Sequence, residues 1–250
     1  MVNKLQSIAS LISSPVERRL FNEYGAIFTT RATPPPTVIF SSAAEVEAFQ
    51  STLTTTRARI GQYEMELQSE AMEALMAAVA DMNAVGGSIS PRAADSAARS
   101  YEDTVMLWTR NVTRGLEHWL ELQRITPERA ERIRALAPVA QVEVILEMED
   151  AEQIYFGTFF DRSILYSVAA PGASQHLALL AFDVAEYEKD EVERTLARRG
   201  WFRTVPNDLP HFTYLGHSES ALESLGLKRI TRDYGERAYS FWVPDIDRLL

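Results

Sequence analysis

Apolar residues recur at helical spacing through the first half of the chain. The most regular pattern runs over about residues 65–85, where one stripe holds Leu67, Ala71, Leu75, Ala78, Val79 and Met82. A stripe of this period predicts an amphipathic helix that packs on a core, and Gly86-Gly87 predicts where the helix ends. A second apolar face predicts a helix near the N-terminus, from Leu5, Ile8, Leu11 and Ile12.

Further helices follow from their end signals. Ser42-Ala43-Ala44-Glu45 fits a capping box. Thr126-Pro127-Glu128 places proline and an acidic residue in a first turn. We predict that a helix begins at Arg99, that residues 113–150 form an all-helical insertion, and that 188–199 form a charged amphipathic helix.

Short runs rich in aromatic and β-branched residues predict strands. They lie at residues 37–40, 88–92, 154–160, 164–170, 180–187, 211–216, 228–234 and 238–243. The last two would form a hairpin around Gly235-Glu236, after a short helix at 220–225. The predicted fold class is therefore α+β, with helices packed on a small antiparallel sheet.

One predicted strand carries a charge. Asp183 stands inside the apolar run 180–187, and burying a carboxylate is expensive unless it is paired or bound to a metal. His176 precedes it by seven residues, and His211 alternates with apolar residues in a later strand. Two imidazoles and a carboxylate are a ligand set of catalytic zinc, which keeps a position open for water. Asp208, three residues before His211, would then suit a general base.

A simpler interpretation is open for an isolated His-x6-Asp pair. Asp183 could pair with an arginine, while His176 and His211 pack in the core or at its rim. Two longer motifs around these residues favour the zinc interpretation.

SQHLALLAFDV, at Ser174–Val184, resembles the S-x-H-x-x-G-x-A-x-D signature of the zinc D-alanyl-D-alanine carboxypeptidases of the VanY type. The preceding Pro171-Gly172 is similar to the P-G that leads into that signature. DLPHFTYLG, at Asp208–Gly216, resembles the family's E-P-W-H-F-R-Y-V-G. Ser96–Tyr101 resembles the family's S-G-Y-R-S. The resemblance covers roughly residues 67–216.

The resemblance implies a Hedgehog/DD-peptidase-like fold with one bound Zn²⁺. It makes His176, Asp183 and His211 the metal ligands and Asp208 the catalytic base. It also implies that Arg99 takes part in catalysis by contacting the substrate. Ser174 would orient a ligand or bind substrate, although a plain turn serine fits equally well.

Several positions depart from the family pattern. Leu179 stands where the family has glycine, and Asp208 replaces a glutamate. Related phage L-alanyl-D-glutamate endopeptidases are similar in having D-x-P-H here, so the cleaved bond stays open. Arg92 and Arg162 compete with Arg99 for the substrate contact.

The composition of the chain limits the partners and the chemistry that we expect. The 250 residues carry a net charge of −10, which argues against nucleic acid, since a nucleic-acid binder normally shows a basic footprint. No cysteine is present, so thiol chemistry is excluded. The apolar runs are too short for a membrane span, and the N-terminus lacks the features of a signal peptide.

The combined prediction is a zinc metallopeptidase acting on peptidoglycan or another small peptide that contains D-amino acids. A D,D-carboxypeptidase comes first, with an endopeptidase or dipeptidase on the same scaffold as the alternative. A non-catalytic wall-binding module is the alternative of another class. The cell envelope, periplasm or exterior is the expected location. The predicted parts are an N-terminal embellishment (1–60), a catalytic domain (61–216) and a C-terminal extension (217–250).

Overall fold

This computed structural model describes residue 12 and residues 14–249. The α-helices are α1 Pro15–Tyr24, α2 Ala43–Gln50, α3 Ser69–Ala84, α4 Tyr101–Glu121, α5 Pro127–Arg134, α6 Pro138–Glu152, α7 Asp190–Arg198 and α8 Ile246–Leu249. The strands are β1 Thr55–Ile60, β2 Tyr63–Gln68, β3 Ala181–Asp183, β4 Trp201–Phe202, β5 His211–Tyr214, β6 Leu227–Tyr234 and β7 Arg237–Pro244. The N-terminal helix predicted from Leu5, Ile8 and Leu11 lies outside the described residues.

The strands of the described part form three small antiparallel sheets. β1 pairs with β2, and β6 pairs with β7. In the third sheet β5 lies between β3 and β4. This mixture of helices and small antiparallel sheets confirms the coarse fold class. The predicted C-terminal hairpin is β6–β7, while two 3-10 turns replace the predicted helix at 220–225.

The hairpin β1–β2 was not among the predicted strands. Met65 and Leu67 are buried whereas Glu64 is exposed, which is the alternation of a strand with one face on the core. The preceding turn contains Gly61 with φ +61°, a conformation that glycine adopts without strain. The predicted helix at 65–85 therefore begins only at Ser69, because residues before it pair with β1.

Three predicted strands are absent from the described structure, at residues 37–40, 154–160 and 164–170. Their backbone groups find other partners. The carboxylate of Glu149 accepts hydrogen bonds from the backbone N–H groups of Phe156 at 3.2 Å and Ile164 at 2.7 Å. Phe40 N–H donates to the carbonyl of Gly172 at 2.9 Å. Apolar runs can thus be loops when side chains or other backbone groups satisfy their backbone hydrogen bonds.

The helical prediction for residues 113–150 is confirmed by α4, α5 and α6. The start of α4 was placed too early, at Arg99. Ser100 caps the helix in a capping box with Asp103, so that Arg99 lies outside the helix. The predicted helix at 188–199 is α7.

The chain folds as two compact units. Of the residues that the structure describes, the first comprises 12, 14–38, 47–99 and 175–249, and the second comprises 39–46 and 100–174. The three-stranded sheet belongs to the first unit, where Trp201 packs against Phe182 and Tyr214 with ring centroids 6.4 and 5.4 Å apart. Among the described residues, no helix combines the length and apolar character that crossing a membrane requires.

Candidate metal centre

Three buried side chains of the first unit converge on one point. The ligand atoms of His176, Asp183 and His211 all lie within 4.8 Å of one another. Oδ1 of Asp183 is 3.4 Å from Nε2 of His176 and 3.2 Å from Nδ1 of His211. Zinc ligands at about 2.1 Å in tetrahedral geometry stand roughly 3.4 Å apart. This group could therefore hold a metal ion.

Strand pairing places two of the three side chains. Asp183 ends β3 directly opposite His211 at the start of β5, and residues opposite each other in an antiparallel pair point to the same face. The other edge of β3 is also occupied, because Asp183 N–H donates to the Ser96 carbonyl at 2.9 Å. The strand predicted at 88–92 contributes an isolated bridge between Pro91 and Val184 instead.

His176 lies on the 3-10 turn Gln175–Ala178. The next residue, Leu179, has φ +55°, a left-handed conformation that costs a residue with a side chain about 1–2 kcal/mol. Leu179 N–H donates to the His176 carbonyl at 3.2 Å, and its own carbonyl accepts from Gln68 N–H at 3.0 Å. These bonds hold the sharp reversal that leads from the turn into β3.

The His176 ring has a defined orientation. Its Nδ1 lies 3.2 Å from the Ala97 carbonyl, which can only accept, so Nδ1 carries the proton. Nε2 then presents a lone pair, and this buried atom has no hydrogen-bond partner in the structure. It faces Asp183 Oδ1, another acceptor. A cation between the two atoms would turn this repulsive contact into an attractive one.

The charge states suit metal binding. Burial lowers the pKa of His176, which outweighs the opposing charge of Asp183, so the imidazole is neutral near pH 7. Asp183 accepts a charge-assisted hydrogen bond from Arg99 at 2.8 Å, which favours its ionised form. Neutral imidazole and ionised carboxylate are the forms that coordinate a metal.

Arg99 lies against the cluster. Its Nη2 donates to Asp183 Oδ2 at 2.8 Å, and its Nε is 3.4 Å from Oδ2 of Asp95. Asp183 therefore pairs with an arginine, as the simpler interpretation expected, and also contacts the two imidazoles. Each carboxylate oxygen has its own neighbour: Oδ2 has Arg99, and Oδ1 has the two histidines.

Asp208 lies on the loop between β4 and β5. Its carbonyl accepts from His211 N–H at 3.2 Å, and its side chain is half-buried. Burial raises the pKa of its carboxyl group, while the charges of His211 and His176 lower it and that of Asp183 raises it. These mutual influences place the carboxylate within electrostatic reach of the cluster.

The other candidates have different surroundings. Arg92 lies 6.0 Å from the centre of the Tyr187 ring. Arg162 pairs with Asp161 in the second unit at 2.7 Å. Ser174 is buried at the end of the second unit, and its role stays a prediction.

Gln175 also contacts the cluster, although no motif in the sequence predicts it. Its Oε1 lies 2.8 Å from Nε2 of His211, and its side chain is buried. The only signal in the sequence was its position beside His176, which says nothing about the contact with His211.

Searches against family models, curated proteins and solved structures find no match for this chain. What can be said of the site therefore rests on its residues and their geometry.

Proposed function

We propose that this protein is a zinc-dependent peptidase of the VanY type, with a Hedgehog/DD-peptidase-like fold, acting on peptidoglycan stem peptides at the cell envelope. The observation that carries the proposal is the donor set of His176, Asp183 and His211. Two donor–donor distances, 3.4 and 3.2 Å, match tetrahedral zinc. Nε2 of His176 has no hydrogen-bond partner and faces a carboxylate oxygen, so a cation between these two atoms would be stabilised.

The backbone supports the same assignment. The family has glycine at the position of Leu179, and this residue adopts φ +55° here, in the region that glycine enters most easily. The departure from the family motif thus changes the side chain while the required turn is kept. Leu179 is not a proposed ligand. The agreement between the family motif and the backbone at this residue is therefore independent of the metal-binding side chains.

In the proposed reaction a water molecule attacks the scissile carbonyl. When bound, zinc would lower the pKa of that water toward about 7 and polarise the carbonyl. Asp208 takes a proton from the water and delivers it to the leaving amine. Arg99 keeps Oδ2 of Asp183 engaged, which leaves Oδ1 directed at the two histidines.

The substrate assignment is D,D-carboxypeptidase, with Arg99 as the contact to a carboxylate or carbonyl of the stem peptide. A guanidinium group suits this task because it offers several donors in one plane. The segment Asp208-Leu209-Pro210-His211 favours a second candidate, an L-alanyl-D-glutamate endopeptidase, because those enzymes are similar at D-x-P-H.

Two measurements test the proposal. Elemental analysis of protein purified without chelators should find one zinc per chain, and added Zn²⁺ should restore it after chelation. Digestion of purified peptidoglycan should release D-alanine, whereas a product cleaved after L-alanine would indicate the endopeptidase. Asp208→Asn serves as the matched inactive control. Wall binding without any released product would favour the non-catalytic module, and protein that neither holds nor binds zinc would refute the metal assignment.

A further inference from the structure

Gln175 stands at the centre of a buried polar network beneath His211. Its Oε1 lies 2.8 Å from Nε2 of His211 and accepts the hydroxyl proton of Thr213 at 2.5 Å. Its Nε2 donates to the Tyr24 carbonyl at 2.8 Å and to Oγ1 of Thr204 at 3.3 Å. The exposed fraction of Gln175 is 3%, and that of both threonines is 0%.

The orientation of the Gln175 amide follows from these partners. A carbonyl can only accept, so the group that faces Tyr24 must be the amide NH₂. A flipped amide would place two acceptor oxygens 2.8 Å apart in a site without water access. Leaving buried acceptors unpaired costs about 1–3 kcal/mol each, so the flipped state is strongly disfavoured. Oε1 therefore faces His211.

This orientation determines the proton position on His211. Oε1 of Gln175 has no proton to donate, so the contact at 2.8 Å requires that Nε2 of His211 carries the proton. In the neutral ring Nδ1 then holds the lone pair. Nδ1 faces Oδ1 of Asp183 at 3.2 Å, so in the neutral ring this contact also joins two acceptors, as the one at His176 does.

We propose that Gln175 is a positioning residue that keeps neutral His211 protonated on Nε2, so that Nδ1 is ready to coordinate. Asp183 acts against Gln175, because a carboxylate beside Nδ1 of His211 favours a proton on Nδ1. Without Gln175 the proton moves to Nδ1, where it bonds Asp183 and blocks coordination. The inference rests on the proposed function in one respect, that the lone pair of Nδ1 is used by a metal.

Gln175→Met tests this by removing the acceptor while keeping the length of the side chain. Partners that orient a metal-ligating histidine typically contribute 10- to 100-fold in metal affinity. We expect Gln175→Met to bind Zn²⁺ about 10- to 100-fold more weakly, measured by competition with a chromophoric chelator. Gln175→Glu keeps an oxygen towards His211, and in its protonated form the second oxygen can donate to the Tyr24 carbonyl as the amide does. This variant should recover most of the affinity at a pH where the new carboxyl group is protonated.

Gln141→Met is the matched control. Gln141 is also a buried glutamine: it accepts from Trp108 Nε1 at 3.0 Å and donates to the Ile133 carbonyl at 2.9 Å. Its loss should lower stability by a comparable amount and leave the affinity for Zn²⁺ unchanged. Equal affinity losses in Gln175→Met and Gln141→Met would show a merely structural effect and overturn the inference.

A second measurement needs no metal, and its decisive result comes from the wild-type protein. Imidazole nitrogen NMR of the chelator-treated wild-type protein, at mildly alkaline pH, reports which nitrogen of His211 carries the proton. We expect Nε2 in the wild type and Nδ1 in Gln175→Met. Protonation of Nδ1 alone in the wild type would overturn the inference even if every variant unfolds. A wild-type protein with the expected tautomer that binds no Zn²⁺ would instead refute the proposed function and leave the Gln175 assignment standing.

Discussion

Two buried carboxylates, one in each unit, have opposite surroundings. Glu149 is 2% exposed, and its Oε1 accepts hydrogen bonds from the backbone N–H groups of Phe156 and Ile164. Asp183 is 7% exposed, and its Oδ1 faces ring nitrogens of two histidines. At least one of these nitrogens, Nε2 of His176, presents a lone pair.

The difference separates a carboxylate that serves the backbone from one that could hold a metal ion. Two backbone N–H groups donate to Glu149 Oε1, so this oxygen has its hydrogen bonds within the fold. Asp183 Oδ1 faces the lone pair of His176 Nε2 at 3.4 Å and Nδ1 of His211 at 3.2 Å, while Oδ2 accepts from Arg99. Burial alone therefore does not identify a functional carboxylate. The informative observation is whether its neighbours supply protons or lone pairs.

The largest expected effect is the loss of the Asp183 carboxylate, and the same change at Glu149 is its control. Asp183→Asn should abolish hydrolysis and weaken Zn²⁺ binding by about 3 kcal/mol, roughly 100-fold, which is one ligand's share of a typical zinc site. Glu149→Gln should leave the affinity unchanged. Chelator competition measures both variants. If Asp183→Asn keeps wild-type affinity, the comparison of the two carboxylates is wrong.

The next effect separates the ligand from the base. Asp208→Asn should retain zinc and lose about 10²- to 10⁴-fold in turnover, because an amide cannot accept the proton. Zinc content and hydrolysis rate are measured on the same preparation, with Asp183→Asn alongside. Full activity of Asp208→Asn would remove Asp208 as the base.

Zinc-linked stability sharpens the comparison further. A ligand at a thousand-fold excess over its Kd stabilises the folded state by about 4 kcal/mol. Denaturant unfolding with and without Zn²⁺ should show this gain in the wild type and in Glu149→Leu, whereas Asp183→Asn, with its roughly 100-fold higher Kd, should gain only about 1.4 kcal/mol at the same Zn²⁺ concentration. Glu149→Leu should itself lower the free energy of unfolding by about 2–6 kcal/mol, because two buried backbone N–H groups lose their acceptor. A Glu149→Leu protein that no longer gains stability from Zn²⁺ would contradict the assignment of Glu149 as structural.

Arg99 gives the smallest expected effect. Arg99→Ala removes a charge-assisted hydrogen bond to Asp183, worth about 1.5–3 kcal/mol. We expect kcat/KM to fall by roughly 10- to 100-fold while one zinc per chain is retained. Arg92→Ala is the matched control, since Arg92 contacts the Tyr187 ring and not the carboxylate. If Arg99→Ala has wild-type kinetics while Arg92→Ala is impaired, then Arg92, and not Arg99, contacts the substrate.

The sequence alone was informative where the determining interactions are local. The helices α4 to α7 and the hairpin β6–β7 follow from capping residues, periodicity and turn residues within each segment. The grouping of His176, Asp183 and His211 followed from two motifs, and Asp183 stood out as a charge inside an apolar strand. These signals persist in any compact fold because burying a charge is expensive wherever the strand lies.

Only the tertiary structure decided the features that join distant segments. Residues 154–170 look like strands, yet Glu149 satisfies part of their backbone and makes them loops. Tyr24 and Gln175 are far apart in the sequence, so no local pattern reveals that one orients the amide of the other. The proton position on His211 depends on that orientation. Hydrogen-bond direction is a property of the assembled network, and residue spacing along the chain does not encode it.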